Sequence, residues 1–169
     1  DKDGPNLVIP FKLWPGQVDA LHMIEANKLN IILKARQLGF SWLSVSYALH
    51  GMIYKPGYSV LALSETDIKA KELVRRAAFI LRYMPAWLIK HRGEPGASLL
   101  EWDSTASQVT VYRKDGEDST FQSFPASENA GRGFTGNLVV LDEWAFQQFD
   151  REIWAALFPT INRPDGGQL

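Results

Sequence analysis

Two short, almost wholly apolar runs, residues 58–63 and Leu138–Leu141, narrow the fold more than any other feature of this chain. A strand with one wet face alternates polar and apolar residues, whereas a strand covered on both faces does not. Segments of helical spacing separate these runs. The pattern predicts an α/β fold with a mostly parallel sheet and helices on both faces. Sheets of that kind bind ligands at the carboxyl ends of their strands, so the residues just after each run are the first to inspect.

The remaining elements follow from local signals. Pro15 can open a helix, and Val18, Leu21, His22 and Ile24 fall at helical spacing, giving a helix over Pro15–Ala26. Residues 28–33 read as a strand leading into a loop whose only glycine is Gly39, and residues 41–54 read as a helix. Ser64 with Asp67 resembles a capping box ahead of an apolar stripe, Ala70, Leu73, Val74, Ala77, Ala78 and Leu81, which Pro85 ends. Glycine and proline make residues 91–97 a loop. Gln108–Tyr112 and residues 119–124 form two strands around Asp115-Gly116, read as a hairpin insertion. Residues 151–158 form a last short helix.

At 169 residues, with 46% hydrophobic residues, the chain suits one packed domain rather than two. It contains no cysteine, which excludes disulfides and thiolate zinc sites. His22, His50 and His91 lack ligand spacing, so no transition metal is assigned. A formal net charge of -1 provides no general attraction to nucleic acid, and any such contact requires a local patch. No apolar run reaches membrane-spanning length and the N-terminus lacks the order of a signal peptide, so the expectation is a soluble protein kept within the cell that makes it.

The loop Lys34-Ala35-Arg36-Gln37-Leu38-Gly39-Phe40-Ser41 lies between a predicted strand and a predicted helix, where backbone N–H groups and the helix dipole can hold a triphosphate. It is a degenerate form of G-x-x-x-x-G-K-[ST]. Gly39 and Ser41 match, Lys34 stands at the first glycine, and Phe40 stands at the lysine. Gly39 lets the backbone approach phosphate, Ser41 suits a magnesium ligand, and Lys34, or else Arg36, supplies the positive charge.

Asp142 and Glu143 end the second apolar run. Phosphate-loop ATPases place a metal-binding Asp before a catalytic Glu in this order, so Asp142 is expected to hold magnesium and Glu143 to orient the attacking water. Upstream, Trp14 offers a stacking face and Gln17 an amide suited to an adenine edge. Gly131-Arg132-Gly133 puts an arginine on a turn, able to reach a phosphate in its own site or a neighbour's. Lys90, His91 and Arg92, with Arg75 and Arg76 nearby, form a basic group that could touch DNA phosphates or remain a solvated face.

These segments resemble the large terminase subunits of tailed bacteriophages. K-A-R-Q-L-G-F-S is similar to that family's deviant phosphate loop, Gln17 to its adenine-sensing glutamine, and G-R-G-F-T-G followed by L-V-V-L-D-E to its arginine and acidic segments. The likeness runs from about Phe11 to the last residue. It implies a RecA-type P-loop ATPase core of the additional-strand, catalytic-glutamate class, using ATP and Mg2+ to translocate double-stranded DNA. It also implies a homo-oligomeric ring on the portal, with Arg132 acting on an adjacent subunit, association with a small terminase subunit, and a place in the host cell cytoplasm on the procapsid.

Residues 157–169 resemble the lead-in to the strand carrying that family's coupling motif. The motif itself and a nuclease domain are not in this sequence, which is expected to be a single ATPase domain over residues 1–169. Two other readings stay open: a helicase or remodelling translocase of the same broad class, and a nucleotide-binding module without hydrolysis, which Phe40 favours and the Asp142-Glu143 pair opposes.

Overall fold

The computed structural model describes residues 8–35, 37–128, 130–161 and 167–169. In chain order its elements are α1 (Pro15–Ala26), α2 (Phe40–Tyr54), β1 (Ser59–Ser64), α3 (Asp67–Arg82), β2 (Ile89–His91), β3 (Leu100–Ser104), β4 (Gln108–Tyr112), β5 (Ser119–Pro125), β6 (Leu138–Leu141), a 3-10 turn (Trp144–Phe146) and α4 (Asp150–Ile161). The strands make one mixed sheet in the order β2-β3-β4-β5-β1-β6. β1 runs parallel to both β5 and β6, in register Val60 to Phe121 and Val60 to Leu138.

β1 is the strand expected to be covered on both faces, and it is. Val60 and Ala62 face one core with Leu49 and Met52 of α2 and Leu73, Val74 and Ala77 of α3. Leu61 and Leu63 face the other with Val139 of β6 and Ile153, Leu157 and Ile161 of α4. Burying a side chain of this size contributes on the order of 1.5–3 kcal/mol, and β1 does so on both sides of the sheet. This buried strand fixes where its carboxyl end, and that of β6, come to the surface.

The expected hairpin forms, β4 antiparallel to β5, and it is built into the sheet because β5 also pairs with β1. β3 and β2 extend that wing outward. β3 was not anticipated; in the structure it alternates, with Leu100 and Trp102 buried and Glu101 and Asp103 half-exposed. Ser64 does not cap α3. Pairing of Ser64 with Pro125 keeps it extended as the last residue of β1, buried, and the turn falls two residues later. Thr66 is the cap, its Oγ1 accepting from the Lys69 N–H at 3.3 Å.

Residues 28–33 form no strand of the sheet: the chain bends at Lys28 and Leu29, and residues 30–33 take no regular structure. Two backbone bonds tie them down, Leu169 N–H to the Lys28 carbonyl (2.8 Å) and Asn30 N–H to the Leu169 carbonyl (3.0 Å). Gln168 in turn bonds β6 through its N–H to Asn137 and its carbonyl to Val139. Residues 167–169 therefore lie between β6 and residues 28–30, and nothing in the described residues continues that ladder alongside residues 31–33. Ile31 and Leu33 are 95% and 100% exposed as a result.

Candidate functional site

The phosphate-type loop and the acid pair meet at the amino end of α2. Gln37 and Gly39 both take left-handed backbone, φ 63 and 70, and curl the chain tightly around Leu38 before α2 begins at Phe40. Gly39 is required here on two grounds. A left-handed φ disfavours any Cβ, and a Cβ at Gly39 would stand 2.9 Å from Nε2 of Gln17.

That Gln17 amide is committed to the protein itself. It is 1% exposed; its Nε2 donates to the Leu38 carbonyl at 2.8 Å and its Oε1 accepts the Trp14 N–H at 3.1 Å. The side chain expected to face an adenine therefore joins the start of α1 to the crown of the loop. Trp14, half-exposed, precedes Pro15 at the helix entry.

Ser41, the second residue of α2, donates from Oγ to both carboxylate oxygens of Asp142 at 3.2 Å. Residues 101 apart in sequence are thus brought into hydrogen-bond contact. Asp142 is fixed from behind: its N–H donates to the Leu63 carbonyl (2.9 Å), while Nε2 of buried Gln147 donates to the carbonyls of both Asp142 (2.7 Å) and Leu63 (3.2 Å). Glu143 turns away in left-handed backbone, φ 54. Its carboxylate accepts from Lys69 Nζ of α3 at 2.6 Å, and Lys69 also reaches Glu65 at 2.5 Å. Hydrogen bonds to Glu143 first and Glu65 second raise the Lys69 ammonium above the ordinary lysine range.

The other expected charges lie elsewhere or beyond the described residues. Lys34 and Ala35 are exposed at the start of the loop, and Arg36 lies outside the described residues. Arg132 is exposed between Gly131 and Gly133, both of positive φ, and lines a 690 Å³ cavity over β1 and β5 with Thr120, Gln122, Ser127 and Phe134. Ser41, Asp142 and Glu143 do not line that cavity. Lys90 has a side chain only 11% exposed and engages Glu101 (3.4 Å) and the Glu94 carbonyl, and Arg92 stacks over Tyr112 at 4.4 Å. No described helix is long and apolar enough to cross a membrane.

No protein-family model matches the chain. Among solved structures it is similar to the ATPase domain of the large terminase of Thermus phage P74-26. The TM-score is 0.66 at 20% sequence identity, covering 94% of this chain and 64% of that one. An arginine-to-alanine mutant of the same domain superimposes with TM-score 0.64 at 20% identity, covering 93% and 63%. The fold is that of a phage large-terminase ATPase domain. This chain spans just under two thirds of the length of those terminase domains.

On this terminase fold, the donor set at Ser41 and Asp142 suits a small hard cation. A hydroxyl and a carboxylate, both oxygen ligands, already stand in contact, and magnesium binds oxygen with few protein ligands and the rest water or phosphate. Three residues of the site carried no motif: Lys69, Glu65 and Gln147. Gln147 left no signal of spacing, being one of two consecutive glutamines after an aromatic stretch. Lys69 follows Glu65 at a spacing of four, which is the pattern of any surface ion pair and singles out neither residue.

Proposed function

We propose that this chain is the ATP-hydrolysing domain of a viral DNA-packaging motor, the large subunit of a terminase. One observation carries the reading: the Ser41 hydroxyl and the Asp142 carboxylate converge at the amino end of a helix, on a fold shared with a phage large-terminase ATPase domain. An N-terminal helix end with a tight, glycine-bearing loop favours a phosphate group, and an acidic strand end beside it favours the metal that accompanies one.

In this proposal the backbone of residues 34–41 cradles the triphosphate, with Lys34 or Arg36 providing positive charge in place of the lysine that Phe40 displaces. Ser41 and Asp142 hold Mg2+, which supplies charge neutralisation at the phosphates when bound. Glu143 orients and polarises the attacking water. Gln17 keeps the loop in shape through the Leu38 carbonyl, and Trp14 borders the base. Arg132 reaches the nucleotide of a neighbouring subunit in a ring on the portal. The polymer moved is double-stranded DNA, with a small terminase subunit as companion, in the cytoplasm of the host. Lys90 and Arg92 already have internal partners, so they are weaker DNA contacts than their sequence suggests.

The test is Glu143→Ala in the intact protein. ATP binding with magnesium is expected to persist while turnover falls by at least two orders of magnitude, roughly the scale of losing a general base. Turnover at the wild-type rate removes Glu143 from that role, and no turnover by the intact wild-type protein removes the hydrolytic assignment.

A further inference from the structure

The placement of Gln17 decides what the site can ask of a nucleotide base. Telling adenine from guanine takes a group that meets the base edge with a donor and an acceptor together, because the two purines carry opposite hydrogen-bonding groups there. The Gln17 amide has both, and both are engaged within the protein: Nε2 donates to the Leu38 carbonyl at 2.8 Å and Oε1 accepts the Trp14 N–H at 3.1 Å. The residue is also buried, so the amide presents no free edge. Turning it toward a base would break both bonds and leave a part-buried carbonyl and N–H unsatisfied, and a contact with the base would do no more than replace them.

Two aromatic residues flank this amide. Trp14 is half-exposed at the entry to α1, and Phe11, also half-exposed, borders the loop: a Cβ at Gly39 would lie 3.8 Å from its Cε2. An aromatic ring can stack on any base, since every base has a π-face, and stacking carries little information about the base edge. We infer that the base is held by stacking and is not read, so that the site takes nucleoside triphosphates as a class, GTP, CTP and UTP alongside ATP. Gln17 braces the loop for all of them. The inference rests on the nucleotide-binding reading above and deepens it.

The experiment is an equilibrium titration of the intact protein with ATP, GTP, CTP, UTP and inorganic tripolyphosphate, each with magnesium. ATP and GTP are expected to bind within about fivefold of each other, the low end of what one base-edge pair discriminates, with CTP and UTP weaker because a smaller base stacks over less area. Trp14→Ala should weaken the nucleotides roughly tenfold, the scale of one lost stacking partner, and tripolyphosphate much less; an equal loss for tripolyphosphate overturns the stacking. Gln17→Ala should weaken all five ligands by a common factor. ATP binding tighter than GTP by more than about fivefold, failure of CTP and UTP to bind, or a Gln17→Ala loss confined to ATP overturns the inference while leaving the ATPase reading in place. The first two outcomes are read on the wild-type protein and depend on no variant. Binding of no nucleotide by the intact wild-type protein overturns the ATPase reading and takes the inference with it.

Discussion

Gly39 shows what a single missing side chain does for this site. It gives α2 its entry, leaves room for the Gln17 amide, and so lets that amide hold the Leu38 carbonyl. Gly39→Ala is expected to cost about 1–2 kcal/mol from left-handed strain alone, and to weaken nucleotide binding further as the added methyl displaces Gln17. Urea unfolding and nucleotide titration on the same variant separate the two effects, and a stability within error of wild type would show that the loop relaxes freely. Tyr58 offers a test of burial. Its hydroxyl is pushed up to about 12 by desolvation, with Tyr47 a smaller contributor. A raised folded-state value means the unfolded chain ionises first, from about pH 10, so stability present below that is lost between about pH 10 and 12. The loss amounts to about 2–3 kcal/mol over that window, and Tyr58→Phe should flatten this part of the stability profile.

Among elements, those whose signal is local were legible in the sequence and those whose signal lies in a partner were not. α1 has its predicted limits because Pro15 starts it, and β6 has its predicted limits because apolar residues run unbroken to an acid. β3, half wet and only five residues long, went unread, and the true cap of α3 depended on how far β5 holds Ser64. The site shows the same division. Ser41 and Asp142 were readable as a pair because their types and order match a phosphate-loop motif and an acidic strand end, and they do meet, whereas Lys69 and Gln147 matter only through whom they touch. Gly51 is an element-scale case in which local propensity misleads. Mid-helix glycine costs about 1 kcal/mol against alanine, yet a Cβ there would lie 2.3 Å from the Tyr58 ring. Gly51→Ala is therefore expected to destabilise by about 1–3 kcal/mol despite its better helix propensity, as read from the urea midpoint at constant slope.

For the molecule as a whole, support is unequal across the two strand-like segments that flank the site. β1 is hydrogen-bonded on both edges and buried on both faces, and from it the Leu63 carbonyl holds Asp142 and Gln147. Residues 28–33, which lead into the loop, are joined by backbone bonds to other described residues only at Lys28 and Asn30, and their apolar side chains face water. The reading of these residues as a strand was right about composition and wrong about pairing, because sequence periodicity reports what a segment can do and not whether a neighbour lies beside it. Half of the site, the acids, thus stands on a rigid floor, and the other half, the loop, is joined to the body chiefly by α2 and the Gln17 amide. Exchange of backbone amides measures that difference directly, since protection follows the free energy of local opening. Amides of residues 60–63 should exchange only with global unfolding, while those of residues 31–33 should exchange faster by several orders of magnitude at neutral pH. Gln17→Ala should then hasten exchange in residues 37–39 without touching β1. Equal protection in the two segments would mean that residues 31–33 have a partner in solution, and that the loop is held as firmly as the acids it faces.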